Sequence, residues 1–200
     1  MTLEEVREEL AFFEPGVVRL NPPAGARAMA RAQTEMGVRF QPSLLAVLSV
    51  HNGGFIVSEP VLGVPPIQSA LDMVHATRQA RAHWGPVCWW DGWVEVGSDG
   101  CGNQYVLLLD RQGVGGESPV GFFDAGAGEI TEIVASSYLN YLWFVTQDVK
   151  WHYRADGNPR ARKEVDWTNR KVIVRPGALS PWRSNEAWTL AHDPALIRWR

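Results

Sequence analysis

The stretch VGSDGCGNQYVLL, Val96 to Leu108, sets three glycines, an aspartate and a cysteine between two apolar runs. Its glycines at 97, 100 and 102 fit neither GxxxxGK[ST] nor GxGxxG. The stretch also leads into an extended segment, where a phosphate loop would open a helix. As a calcium loop it would offer Asp99 and Asn103 as first and fifth ligands. Cys101 at the third place is a poor partner for a hard cation, however, and Gln104 stands where the turn glycine belongs. A nucleophilic Cys101 would need a base and a thiolate-stabilising neighbour, with His51, His75 and His83 as the possible bases. A β-hairpin explains most of the residues. Asp99 and Asn103 tolerate turn geometry, and Gly100 and Gly102 supply positive φ.

Working outward from this hairpin, the period is two. Trp93–Ser98, Gln104–Asp110, Pro119–Asp124 and Glu129–Val134 read as four successive strands joined by Gly-rich turns. YVLLL is apolar on both faces, so that strand should be central and covered on both sides. In the last strand Ile130, Glu132 and Val134 should oppose Thr131 and Ile133.

Helical patterns flank the strands. Thr2 and Glu5 have capping-box spacing before Leu3, Val6 and Leu10, and Pro15-Gly16 ends that helix. An alanine-rich second helix stops at Gly37. Pro42 opens a third, apolar nearly all round, with His51 in its last turn and Asn52-Gly53-Gly54 as its exit. Short extended pieces around FIV and PVLGV precede a helix expected over Ile67–His83. Ser136 or Ser137 should cap a closing helix, SYLNYLWFVTQDV. Helices, then a meander of strands, then a closing helix define an α+β class: N-terminal helices packed on a mainly antiparallel sheet.

Residues 1–153 are expected to form this domain. Residues 154–200 form a C-terminal extension with a loop at 154–165, a strand at RKVIV and a helix near Asn185–His192. Trp167, Trp182, Trp188 and Trp199 imply that the extension packs on the domain. The net charge of −3 conceals an asymmetry. Residues 1–153 carry 9 Lys/Arg against 17 Asp/Glu, and residues 154–200 carry 10 against 5, giving −8 and +5. An acidic body can attract a basic partner. It opposes nucleic acid, although Arg160, Arg162 and Lys163 of the extension could grip a backbone.

MTLEEVREEL lacks a secretory pattern, no apolar run is long enough to span a bilayer, and Cys88 and Cys101 make no disulfide framework. These features predict a cytoplasmic protein with two free thiols, no membrane contact, no metal and no cofactor. Asp91, Asp99, Asp110 and Asp124 lie at strand ends or loops, where acids are common without catalysis. Trp89, Trp90, Asp91 and Trp93 form an aromatic cluster beside an acid. They read either as a protein-binding patch or as cover for the sheet's outer face, with Trp93 in the core.

The order of PSLLAVLSVHNGG, CWWDGW, VEVGSDGCGNQYVLLLD, PVGFFD and ASSYLNYLWFV over about residues 24–149 resembles the SUKH superfamily. This is the Smi/Knr-type domain of bacterial toxin-immunity proteins and of a fungal cell-wall regulator. Two features depart from the family: Asn103 stands where an Asp is common, and the 47-residue extension has no counterpart. The resemblance implies a non-catalytic protein that binds and neutralises a cognate toxin, such as a nuclease. Partner contacts are then expected at Trp89, Trp90, Asp91, Asp99 and Asp124. A ligand- or peptide-binding regulatory domain beside Trp89–Asp91 is the alternative, and a hydrolase using Asp99 or Cys101 the third reading.

Overall fold

The computed structural model describes residues 1–160 and 182–199, together with the backbone of 165–166 and 171–172. The fold is α+β. The elements run α1 (Leu3–Leu10), β1 (Val18–Leu20), α2 (Ala26–Met36), α3 (Pro42–Leu48), β2 (Gly54–Ile56), β3 (Glu59–Val61), α4 (Met73–Trp84), β4 (Trp93–Ser98), β5 (Gln104–Leu108), β6 (Val120–Asp124), β7 (Glu129–Ala135) and α5 (Tyr138–His152). The short ladder of β8 (Val165–Asp166) and β9 (Lys171–Val172) follows, then α6 (Glu186–His192). No helix among the described residues is long and apolar enough to cross a membrane. The rest of the strand expected at RKVIV, and Trp167, lie outside the described residues.

Strands β4 to β7 form an antiparallel sheet in sequence order. β5 is an inner strand, as its apolar faces require: Leu107 packs into one core cluster, Val106 and Leu108 into another, and all three are fully buried. The inner face, carrying Val94, Val96, Leu107, Phe122 and Val134, is closed by apolar side chains of α1, α2, α3 and α5. The outer face carries Trp93, Val106, Leu108, Phe123 and Ile133. Trp84 and Trp89 cover it edge-on, with ring centroids 5.4 and 5.3 Å from Phe123. Leu196 joins the same cluster with no exposed surface.

Local chemistry sets the helix ends. The expected capping box is present, with Glu5 N–H donating to Thr2 Oγ1 at 3.3 Å and Thr2 N–H to Glu5 Oε2 at 2.6 Å. Ser137 caps α5 by accepting from Asn140 N–H. The helix expected from Ile67 begins only at Met73. Asp72 Oδ1 accepts from the backbone of Val74 and His75, and the preceding backbone is drawn into bonds between Gly63 and both Leu71 and Met73.

A second, three-stranded antiparallel sheet, β1-β2-β3, was not expected at Val18–Leu20. The HNGG exit of α3 builds its junction. The Asn52 amide bonds both Val64 N–H (2.7 Å) and Val64 C=O (2.8 Å). At Gly54, φ is +133°, and a Cβ would lie 2.3 Å from Arg19 C=O, so only glycine lets β1 approach.

The alternation expected in β7 is broken. The pairing register shifts between Phe122 and Phe123, so Ile130 and Ile133 both reach the outer cluster. Another register shift lies between Glu95 and Gly97. Val94 and Val96 face inward, and a Cβ on Gly97 would lie 2.2 Å from the inner Tyr141 hydroxyl, while Glu95 stays on the outer side opposite Val106.

The C-terminal segment grips the edge of this sheet. The Trp182 indole donates to Val134 C=O at 3.1 Å and stacks on Phe144 and Tyr105 at 5.6 and 5.5 Å. Asp193, 1% exposed, accepts from Ser136 N–H and Ser136 Oγ at 2.7 and 2.5 Å. Polar atoms so deeply buried need partners, and both donors are in place.

Candidate functional site

The hairpin between β4 and β5 is tied together by one carboxylate. Asp99 Oδ1 accepts from Cys101 N–H (2.8 Å) and Asn103 N–H (3.2 Å), and Oδ2 accepts from Asn103 Nδ2 (2.7 Å). Asn103 Oδ1 in turn accepts from Ala125 N–H in the β6–β7 turn. Asp124 closes that second turn by accepting from Gly126 and Ala127. Asp99 and Asp124 therefore sit on neighbouring turns at one end of the sheet. What burial Asp99 has would raise its pKa. The Asn103 side chain, with the Cys101 and Asn103 backbone, outweighs this and holds the carboxyl below its ordinary range.

Beside this tip lies a cleft of about 180 Å³, bounded by Glu59 of β3, Asp99, Asp148 of α5 and the rings of Tyr105, Tyr141 and Trp182. Gly97 makes it possible, because any Cβ there would collide with the Tyr141 hydroxyl. Glu59 is pushed above the usual carboxylate range by burial and then by repulsion from Asp148, with His152 opposing. Three carboxylates on an aromatic wall suit a cationic side chain. They supply no nucleophile with an adjacent base.

The other residues singled out in the sequence lie apart from this cleft. Trp89 is 5% exposed and packs against Trp93 and Phe123, so it supports the outer core. Trp93 is core as expected, and its indole donates to Asp110 at 3.0 Å. Trp90, 65% exposed, and Val87, 82% exposed, stand out beside the exposed Asp91. The Asp91 backbone C=O accepts from Arg81. Cys88 and Cys101 are free thiols, and Cys101 is exposed at the tip. Among the described residues no group of three or more His, Cys, Asp or Glu could hold a metal ion.

Glu59, Asp148 and Trp182 were not anticipated. Each lies some 40 residues or more from Asp99 in sequence, and no periodicity links them. The one available signal was Gly97, a glycine inside a strand, which marks close approach by another group.

Comparison with curated proteins gives no match. The profile of the SMI1 / KNR4 family (SUKH-1) matches residues 23–141, from just before α2 into the first turn of α5, and so contains the Asn52 junction and the Asp99 hairpin. The chain belongs to the SMI1 / KNR4 family (SUKH-1).

Proposed function

We propose that this protein is an immunity-type member of its family, which binds a basic toxin and blocks it by occlusion. The observation that carries the reading is the cleft of Glu59, Asp99 and Asp148 against Tyr105, Tyr141 and Trp182, set in a body of net charge −8 over residues 1–153. Carboxylates steer a cationic partner and fix its orientation, and the rings add contact area once water is displaced. Asp124 extends the acidic tip, and Trp90 with Asp91 offers a separate aromatic and acidic contact. The reading assigns binding and not turnover, needs no cofactor, and expects action in the cytoplasm.

Co-expression with a toxin encoded beside the protein tests it. The expected result is a stable complex and survival of the host. Glu59→Gln combined with Asp148→Asn should weaken the complex at least about tenfold and reduce its salt sensitivity. Absence of both complex and protection overturns the proposal.

A further inference from the structure

On the opposite side of the same hairpin, Glu95 is the one ionisable side chain of β4, and it is half-buried. Its backbone N–H donates to Thr77 Oγ1 at 3.0 Å, which fixes the strand to α4 without using the carboxylate. The carboxylate has no hydrogen-bond or ion-pair partner among the described residues, and burial alone pushes its pKa to about 7. Burying an unpartnered acid costs stability, and glutamine or an apolar residue would serve the sheet better.

Glu95 opens instead into a cleft of about 360 Å³, with Gln79, His83 and Trp84 of α4 on one side, Gln104 of β5 on the other and Ala80 at its base. The cleft is open to solvent, so a side chain presented by another molecule can enter it. A carboxylate, an indole and two amides are the groups that a guanidinium engages. Its planar fork bonds the acid, and its face stacks on the ring. A lysine ammonium can also pair with the acid and sit over the indole, but it lacks the planar fork for bidentate pairing and the flat face for stacking. The exposed Val87 and Trp90 lie on the loop that leaves α4 directly after Trp84, so an apolar protein surface could seat beside the cleft.

We propose that the cleft between α4 and the β4–β5 hairpin receives an arginine side chain presented by a protein partner, with Glu95 as its counter-ion and Trp84 as its stacking face. This deepens the reading of a basic partner, but its test uses no toxin, so the two can fail separately. His83 is the other titratable side chain lining the cleft, and Gln79 and Gln104 are neutral.

The probe is a capped Gly-Arg-Gly peptide titrated into the full chain, with capped Gly-citrulline-Gly as the uncharged control, followed by nuclear magnetic resonance. At pH 8 the arginine peptide should move the Trp84 indole and the Gln79 and Gln104 side-chain amide signals saturably. At pH 6 binding should be about tenfold weaker, because a mostly protonated Glu95 must lose its proton to pair. Glu95→Gln, nearly isosteric, should weaken binding at pH 8 to the citrulline level and abolish the pH dependence. His83→Gln should retain it, which separates Glu95 from a repelling imidazolium. Equal binding by Glu95→Gln, equal binding of the citrulline peptide, signals moving at Asp99 instead, or no saturable binding would each overturn the proposal.

Discussion

The two faces of the β4–β7 sheet are closed by different parts of the chain. The inner face rests on α1, α2, α3 and α5, an apolar layer of ordinary helix-on-sheet kind. The outer face rests on the tryptophan-rich approach to β4 and on the last turns of the chain, with Leu196 fully buried and Leu190 and Trp199 packed alongside. Residues 190–199 lie beyond the part of the chain that the family profile covers. On the inner side too, α1 and most of α5 fall outside the matched residues, so both faces are completed by segments flanking the part that the profile covers. The acids do distinguish the two sides. The inner cleft gathers three carboxylates, of which Asp99 is well bonded, whereas the outer cleft holds one acid whose carboxylate has no hydrogen-bond partner among the described residues.

The sharpest way to break this comparison is a pair of truncations. Leu44→Ala on the inner side and Leu196→Ala on the outer should each cost about 2–5 kcal/mol in denaturant unfolding, since both leucines are fully buried. A loss below about 0.5 kcal/mol for Leu196→Ala alone would reduce the outer cover to surface decoration.

The next effect concerns the sign of two acids. The folded Glu95 holds its proton up to about pH 7, against an ordinary value of 4.5. The folded state therefore binds more protons than the unfolded chain across that window. Its stabilising contribution is fully present below the unfolded value and is lost as pH rises through about 7. Glu95→Gln should match the native protein near pH 4.5 and exceed it at pH 8 by on the order of 2 kcal/mol in urea unfolding. Asp99, held below its ordinary range, behaves in the opposite sense: its contribution is present above the unfolded value and is lost as pH falls through the folded one. The smallest expected change is that of Asp99→Ala, about 1 kcal/mol at neutral pH, because its bonds lie in an exposed loop. Between pH 5 and 8 the gain of Glu95→Gln over the native protein should therefore grow, while the deficit of Asp99→Ala should stay constant and shrink only in acid below its ordinary value of 3.8.

Much of this fold was legible in the sequence because the signals were local. The four strands followed from alternation and glycine turns, the caps of α1 and α5 from Thr2 and Ser137, and the central place of β5 from YVLLL. The misses were non-local or too short. Val18–Leu20 has three residues and becomes a strand only because Gly54 admits it. Ile130 and Ile133 share a face only because a register shift separates them. Of the inner cleft, Asp99 alone was anticipated, since Glu59 and Asp148 meet it through the packing of β3 and α5. Glu95 was not singled out, because α4 and Gln104, which line its cleft, reach it only through the packing.

Asn103 has a consequence of another kind. Its amide donates to Asp99 with one end and accepts from Ala125 with the other, which joins the β4–β5 and β6–β7 turns. An aspartate there could accept from Ala125 but would set a second negative charge against Asp99. With asparagine, the two turns form a single stiff lip. A partner that touches either turn meets both already ordered, so the entropy of fixing the tip is lost when the protein folds and not when it docks.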